Sequence, residues 1–226
     1  MDAQTVMQML KAKGTAQNRK VYRRHGVGEN LFGVSYADLA RLVKTIKKDT
    51  PLAQSLWQTS NHDARVLAAM ITNPADITIE TLLAWSTDLD NYPITDEFAK
   101  LAARTPYAHQ LMVNWTQVDE QYIGRAGWHI LARLAVDDTI LPDDFFEPYL
   151  AVIETRIHTS KNWLKAGMNN ALIAIGGRTP ALRELALAVA SRIGKVTVDH
   201  GDTACKTPPA ADYIEKIWIR KEKTAA

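Results

Sequence analysis

The chain has few of the features that mark a secreted, disulfide-bonded or membrane protein. Cys205 is the only cysteine among 226 residues, so no disulfide can form within the chain, which fits a reducing compartment. No apolar run approaches the roughly 20 residues that cross a bilayer. Residues 1–4 also lack the basic and then apolar order of a secretion signal. The sequence therefore predicts a cytoplasmic protein with no membrane partner.

Motifs for common cofactors and metals are missing as well. There is no glycine-rich phosphate loop, no pair of metal-binding histidines and no Gly-x-Ser-x-Gly elbow. His200, Asp202 and Cys205 lie close together in the sequence. This pattern allows either a metal site or a Cys–His nucleophile. One cysteine and one histidine are too few for structural zinc, and the neighbouring glycines and prolines favour an ordered turn. We therefore expect no metal and no cofactor, and a short irregular loop at about residues 194–209.

Helical periodicity dominates the rest of the chain. Residues 36–46 place apolar side chains at helical spacing, and Ser35 is a candidate N-cap. Proline and glycine interrupt the pattern at intervals that suit helices of about 10–15 residues. These interruptions are Pro51, Pro74, Pro93, Pro106, Pro142, Gly176-Gly177 and Pro180. We expect roughly a dozen helices in a single domain over residues 1–226, with a frayed tail from residue 220.

A basic residue returns at the same place in three similar helical segments. Each segment begins with polar or aromatic residues, continues with Arg or Lys, and ends with small and apolar residues. The segments are 62–71, 122–131 and 163–172, and their cations are Arg65, Arg125 and Lys165. The 40 residues from Arg125 to Lys165 match the period of two-helix repeats of the HEAT type. The sequence therefore predicts an all-α fold, a right-handed α-solenoid of HEAT-like helical hairpins.

The charge is close to neutral in total but uneven along the chain. Residues 1–50 hold 10 Lys and Arg against 4 Asp and Glu, residues 51–150 hold 5 against 14, and residues 151–226 hold 12 against 7. Repeats stack into an array with a concave face, and cations repeated along that face would match the DNA backbone. The alternative is that each charge belongs to a solvated helix surface or a salt bridge.

A segment rich in carboxylates is the first candidate for chemistry. Residues 88–98 place Tyr92 four positions before Asp96, and Pro93 suits the first turn of a helix. Capping and the helix dipole also favour an acid near a helix start. The segment therefore has both a catalytic and a purely structural interpretation.

Taken in order, these residues resemble the HEAT-repeat DNA alkylation-repair family, whose characterised members are DNA glycosylases acting on alkylated purines. The resemblance covers most of the chain. It rests on residues 22–26, 32–34, 56–57, 62–65, 90–96, 104–106, 125–127, 171–176 and 200–203. Each piece is short, but their order and spacing agree with the family.

The resemblance implies a role for particular residues. Asp96 falls on the catalytic carboxylate that ends the family pattern Trp-Asp-x-x-Asp, and Tyr92 falls on its leading Trp, which lines the lesion site. Arg125 falls on a central Arg that contacts the phosphate backbone. Asn170 aligns with a second active-site Trp. With Arg65 and Lys165 added from the recurrence, we predict that Arg65, Asp96, Arg125 and Lys165 share one concave face.

The function that the resemblance implies is excision of N3- or N7-alkylated purines from double-stranded DNA by a monomeric glycosylase. An alkylated purine is cationic and a good leaving group, and a carboxylate stabilises the positive charge that develops on the sugar. Two other functions stay open, because one aromatic residue is altered and one is lost. They are a non-catalytic HEAT-repeat binder of damaged or distorted DNA and a protein-interaction scaffold.

Overall fold

The computed structural model describes residues 1–225. This part of the chain forms thirteen α-helices and one short 3-10 helix, and it contains no strand. The helices are α1 (Ala3–Lys13), α2 (Ala16–Arg24), α3 (Tyr36–Ile46), α4 (Thr50–Trp57), α5 (His62–Ile71), α6 (Ile79–Ser86), α7 (Tyr92–Ala102), α8 (Ala108–Trp115), α9 (Gln121–Asp137), α10 (Glu147–Arg156), α11 (Asn162–Gly176), α12 (Pro180–Ile193) and α13 (Ala210–Ala225), with the 3-10 turn at Asp143–Phe145. The expected all-α fold is confirmed.

Short polar side chains determine where most of these helices begin. Nine of the described helices start behind a side chain that accepts a hydrogen bond from a first-turn backbone N–H. These residues are Asp2, Thr15, Ser35, Asp49, Asn61, Thr78, Asn91, Glu120 and Thr179. Proline occupies the first turn of α4, α7, α10 and α12, where its missing N–H costs nothing. The sequence thus sets the helix boundaries locally.

The chain packs as two compact units. The first contains residues 1–108 and 200–204, and the second contains residues 109–199 and the residues from 205 onward. A repeat array produces such a division, because each repeat contacts only its neighbours. The single domain predicted from the sequence stays a prediction.

The first unit is built around α5. This helix packs against α1, α3, α4 and α7, and eight of its ten residues are buried. The buried indoles of Trp57 and Trp85 stack beside it, with ring centroids 4.1 Å apart and nearly parallel planes. The core therefore lies on both sides of the helix that carries Arg65.

The second unit is built around α11, which packs against α9, α10, α12 and α13. Glycines allow the closest approaches. A Cβ on Gly127 would lie 2.6 Å from the backbone carbon of Trp115, and a Cβ on Gly167 would lie 3.3 Å from the Cα of Arg125. Arg125 is therefore held at the contact between α9 and α11.

The C-terminal region differs from the expectation. No helix or strand lies between Ile193 and Ala210, but α13 continues to Ala225 through residues that we expected to fray. Trp218 Nε1 donates to the Gly176 carbonyl (2.8 Å), and Lys221 Nζ donates to the Gly177 carbonyl (2.6 Å). These bonds cap the end of α11 and hold α13 against it as far as Lys221, and fraying of the residues beyond Lys221 stays a prediction. Ala226 lies outside the described residues.

Candidate functional site

Asp96 lies inside helix α7 and not at its start. The Asn91 side chain caps the helix by accepting from the Ile94 N–H (3.1 Å), and the first turn of α7 contains no acidic residue. Asp96 is half-buried one turn beyond that cap. Capping therefore does not account for Asp96, and the structural interpretation of this carboxylate loses its main support.

Two tyrosines lie in the neighbourhood of Asp96. Tyr92 lies one turn earlier on the same face of α7, as residues four apart do. The hydroxyl of Tyr36 is close enough to sense Asp96 and Tyr92. Desolvation of the hydroxyl, followed by the charge of Glu97, raises the pKa of Tyr36 well above its ordinary value, although 40% of the residue as a whole is exposed. Tyr36 is thus a neutral hydroxyl at physiological pH, and the surroundings of the half-buried Asp96 carboxylate include two phenol groups and the charge of Glu97.

His25 holds the Tyr92 ring. Its Nδ1 forms a short hydrogen bond with the Tyr92 hydroxyl, and the two rings meet edge to face with centroids 5.8 Å apart. Burial lowers the pKa of His25, and the charges of Arg24 and His200 lower it further. His25 is therefore neutral near pH 7. His200 belongs to the same unit although it lies 175 residues along the chain, so no local sequence signal could have joined them.

Asp63, in the segment that carries Arg65, has a structural role that the sequence did not suggest. Its carboxylate is 1% exposed and accepts from the N–H groups of Phe32 (2.6 Å), Gly33 (3.0 Å) and Val34 (2.7 Å). The Val34 carbonyl in turn accepts from the Tyr22 hydroxyl (2.6 Å). Asp63 therefore fixes the segment before α3, which starts at Tyr36.

Arg65 is engaged by the protein. Its guanidinium donates to the carbonyls of Trp57 and Asp88 and to the Ser60 hydroxyl, each at 3.2 Å. It also pairs with the Asp88 carboxylate at 3.1 Å and lies 5.3 Å from the centroid of the Trp57 ring. Only 12% of the side chain is exposed. The recurrent cation thus has a packing role here, and a phosphate contact by Arg65 stays a prediction.

Arg125 shows the same pairing with a tryptophan in the second unit. It is 4% exposed, its guanidinium donates to the Trp163 carbonyl (3.2 Å), and it lies 5.6 Å from the centroid of the Trp163 ring. Lys165, two residues after Trp163 on α11, is half-buried, and its ammonium joins none of the ion pairs recorded among residues 1–225. Lys165 is therefore the more available cation.

Asn170 supplies a polar group where the family resemblance places an aromatic ring. It is half-buried on α11, and its Nδ2 lies 3.4 Å from Nε2 of His129. Asp96 and Arg65 belong to the first unit, whereas Arg125, Lys165 and Asn170 belong to the second. The single concave face that we expected for the cations and Asp96 stays a prediction.

The segment around His200 and Cys205 contains neither helix nor strand. Thr203 donates its N–H to the Gly201 carbonyl (2.8 Å) and its hydroxyl to the His200 carbonyl (2.9 Å). Cys205 is exposed. Within residues 1–225, no three His, Cys, Asp or Glu side chains are grouped so that they could hold a metal ion. None of the helices described is long and apolar enough to span a bilayer.

Comparisons with known proteins identify the family and the fold of the chain. The family model described as DNA alkylation repair enzyme matches residues 6–210. Over 217 residues the chain is 29% identical to the uncharacterized protein Lmo0209 of Listeria monocytogenes and 27% identical to Lin0241 of Listeria innocua, each match covering 93% of this chain and 95% of the relative.

One solved structure is similar over nearly the whole length. The TM-score is 0.90 and the identity 27%, covering 98% of this chain and 95% of the other. That protein is described as one of "a new family of proteins related to the HEAT-like repeat DNA glycosylases with affinity for branched DNA structures". The HEAT-like repeat class predicted from the sequence is thereby confirmed.

Proposed function

Because the chain belongs to the DNA alkylation repair enzyme family, we propose that it is a DNA-binding protein that recognises DNA departing from a regular duplex, such as branched DNA. The likeness to a protein with affinity for branched DNA, at a TM-score of 0.90 over 98% of the chain, carries this proposal. The alkylated duplex expected from the sequence resemblance is then one ligand of a wider class.

Exposed cations on the first unit support binding to the phosphate backbone of DNA. Helix α2 has no fully buried residue, and its Lys20 and Arg24 are exposed. Lys44 and Lys47 at the end of α3 are exposed as well. None of these four joins an ion pair recorded among residues 1–225. Contacts to phosphates position a protein on DNA without reading the base sequence. Cations on helices therefore suit recognition of the geometry of the DNA backbone.

The polar replacements near the candidate site favour the same conclusion. Proteins that hold unpaired bases commonly stack them on aromatic faces, each worth about 1–3 kcal/mol. Here Tyr92 is tied to His25, and Asn170 lies beside His129. One aromatic surface is thus smaller, and the other is replaced by an amide. Recognition of DNA then depends more on contacts to the DNA backbone than on stacking of a damaged base against an aromatic ring.

Binding can be tested by fluorescence anisotropy with a labelled four-way junction over a range of salt concentrations. We expect log Kd to depend linearly on log salt, and the double variant Lys20→Ala/Arg24→Ala to lower the slope by about one unit for each lost phosphate contact. The matched control is Arg41→Ala, because Arg41 already pairs with Asp38 (2.8 Å). An affinity for the junction that does not change with salt concentration would refute binding to the DNA backbone and favour a protein-interaction scaffold.

Excision of alkylated purines is the second candidate, and the position of Asp96 favours it. The N-glycosidic bond would break with its electron pair leaving on the base, Asp96 would stabilise the positive sugar, and water would add to the sugar and lose a proton. Asp96 is half-buried beyond the α7 cap, with the Tyr92 and Tyr36 rings nearby. That environment suits a carboxylate that acts electrostatically.

Release of bases from methylated DNA tests this second candidate. We expect Asp96→Asn to lower release a few hundred-fold, corresponding to about 3–4 kcal/mol, and to leave DNA binding intact. Equal release from the variant would refute a role for Asp96. If the wild type releases no base but binds DNA, the protein is a non-catalytic binder.

A further inference from the structure

Tyr36 is more exposed than the two tyrosines that act on its hydroxyl. It is 40% exposed, whereas Tyr22 and Tyr92 are half-buried. Aromatic side chains carry roughly 150–250 Å² of surface each, so about 60–100 Å² of Tyr36 faces solvent. A single exposed aromatic residue is ordinary on a protein surface. The orientation and the surroundings of Tyr36 therefore decide whether it has a role.

The exposed part of Tyr36 is mainly its ring. A surface tyrosine usually buries its ring and keeps its hydroxyl in water. Here the hydroxyl is desolvated and lies within electrostatic range of Glu97, Asp96 and Tyr92, all on α7, although 40% of the residue is exposed. The polar end of the side chain is therefore turned toward the protein, and the aromatic surface is left to solvent.

Hydrogen bonds from α2 show independently that the start of α3 lies near Tyr92. The Tyr22 hydroxyl donates to the Val34 carbonyl (2.6 Å), two residues before Tyr36. His25, three residues after Tyr22, bonds the Tyr92 hydroxyl through its Nδ1. Residues three apart on a helix lie on the same face. One turn at the end of α2 therefore spans the space between the start of α3 and the start of α7.

The backbone that carries Tyr36 is held on both sides. The Asp63 carboxylate accepts from the N–H groups of residues 32–34, and the Ser35 hydroxyl caps α3 by accepting from the Asp38 N–H (3.1 Å). The apolar face of α3 is buried in the core. A surface that is already fixed loses little freedom when a ligand packs on it, which favours affinity. The Tyr36 ring is thus a preorganised surface.

Charge decides which part of a DNA molecule can meet this ring. Glu97 and Asp96 act on the Tyr36 hydroxyl as negative charges, and Glu97 is also paired with Lys100 (2.7 Å). A phosphate group gains nothing beside these carboxylates, whereas the exposed cations of α2 attract it. The part of DNA that meets Tyr36 is therefore an uncharged base.

An aromatic ring at this place favours a base that has left the helical stack. Inside a duplex each base is covered on both faces by its neighbours, whereas an unpaired base or a base at a branch point can offer a face. Proteins that bind single strands stack such bases on aromatic side chains without reading the sequence. Each stacked base is worth about 5- to 150-fold in affinity, the equivalent of about 1–3 kcal/mol.

We propose that the Tyr36 ring is a stacking platform for an unpaired or unstacked base of DNA. The ligand is any such base and not an alkylated purine alone, because stacking does not depend on sequence. This inference rests on the proposed DNA-binding function and extends it. The cations of α2 supply affinity for the DNA backbone, and Tyr36 supplies a preference for DNA that departs from a regular duplex.

The test uses a four-way junction with 2-aminopurine at the branch point, since the fluorescence of this base falls when it stacks on an aromatic ring. The full chain should quench the probe, and Tyr36→Leu should not. Tyr36→Leu should also bind the junction at least about fivefold more weakly. The dependence of its affinity on salt should be unchanged, because no phosphate contact is lost. Its Tm and its affinity for linear duplex should stay close to wild type, because Tyr36 lies at the surface.

Two further variants separate stacking from other effects. Tyr36→Phe keeps the ring and should retain the quenching and most of the affinity, which excludes a hydrogen bond from the hydroxyl as the cause. The matched control is Tyr213→Leu, which removes a 44% exposed tyrosine from the second unit and should change neither signal. The assignment is refuted if Tyr36→Leu quenches and binds as the wild type does, or if Tyr36→Phe behaves like Tyr36→Leu.

A duplex with a single bulged 2-aminopurine distinguishes this inference from the proposed function. If the junction binds no tighter than linear duplex but the bulged base is quenched by the wild type and not by Tyr36→Leu, the preference for branched DNA is wrong and the platform stands. If the junction is bound tightly and Tyr36→Leu changes nothing, the proposed function stands and the platform is wrong. Failure to bind any of these DNAs would refute both.

Discussion

The hydrogen bonds of Asp63 predict that Asp63→Asn destabilises the protein strongly. The carboxylate is 1% exposed; one oxygen accepts from Phe32 and Gly33, and the other accepts from Val34. An amide supplies only one acceptor oxygen, so at least one N–H faces an NH₂ group without a partner. Losing one charge-assisted bond and weakening two others costs about 3–5 kcal/mol. At about 2–4 °C per kcal/mol for a chain of this size, the Tm should fall by roughly 10 °C.

Urea and thermal unfolding followed by circular dichroism measure this loss. The midpoint should fall while the m-value stays constant. The matched control is Asp76→Asn, which alters an exposed acid and should change stability by no more than about 0.5 kcal/mol. Hydrogen exchange should quicken first at the N–H groups of residues 32–34. A loss below about 1 kcal/mol for Asp63→Asn would refute the reasoning, because the three bonds would then add little to stability.

Three further perturbations follow from the structure. Arg125→Ala should lower the free energy of unfolding in urea by about 2–4 kcal/mol, because the buried side chain is lost from the contact between α9 and α11. A variant with wild-type stability and weaker DNA binding would instead show a direct phosphate contact by Arg125. Gly127→Ala should cost about 1–3 kcal/mol, since the added Cβ meets backbone at 2.6 Å, whereas Gly28→Ala enters open space and should be neutral. Burial lowers the folded-state pKa of His62 below its ordinary 6.5. The unfolded state therefore binds more protons, and the free energy of unfolding should fall as the pH drops below about 6.5. This fall should be smaller in His62→Phe, and an equal fall would show that His62 is not its source.

The helices could be predicted from the sequence because their signals are local. Ser35 accepts from the Asp38 N–H (3.1 Å), as an N-cap should, and the apolar stripe behind it is buried at Leu39 and Leu42. The end of α13 could not be predicted in this way. Its stability comes from bonds to the carbonyls of Gly176 and Gly177, more than 40 residues earlier, and composition does not encode such contacts.

The candidate site was only partly predictable for the same reason. The resemblance placed Asp96 and Tyr92 together, but the bond from Tyr92 to His25 spans 67 residues, and nothing in either segment signals it. Two of the three recurrent cations have a packing role in the structure, and their contact with phosphates stays a prediction. Arg65 and Arg125 each lie over a tryptophan and donate to a tryptophan carbonyl. Sequence spacing alone cannot tell such a pair from a cation that faces DNA.

The most direct test of the account compares the affinity of the full chain for a four-way junction and for a linear duplex with the same arm sequences. Both dissociation constants are measured by fluorescence anisotropy at one salt concentration, with unlabelled duplex added as competitor. We expect the junction to bind several-fold tighter than the duplex, so that an equal concentration of unlabelled duplex displaces only a minor part of the bound junction. Equal affinities, or no binding to either DNA, would contradict it.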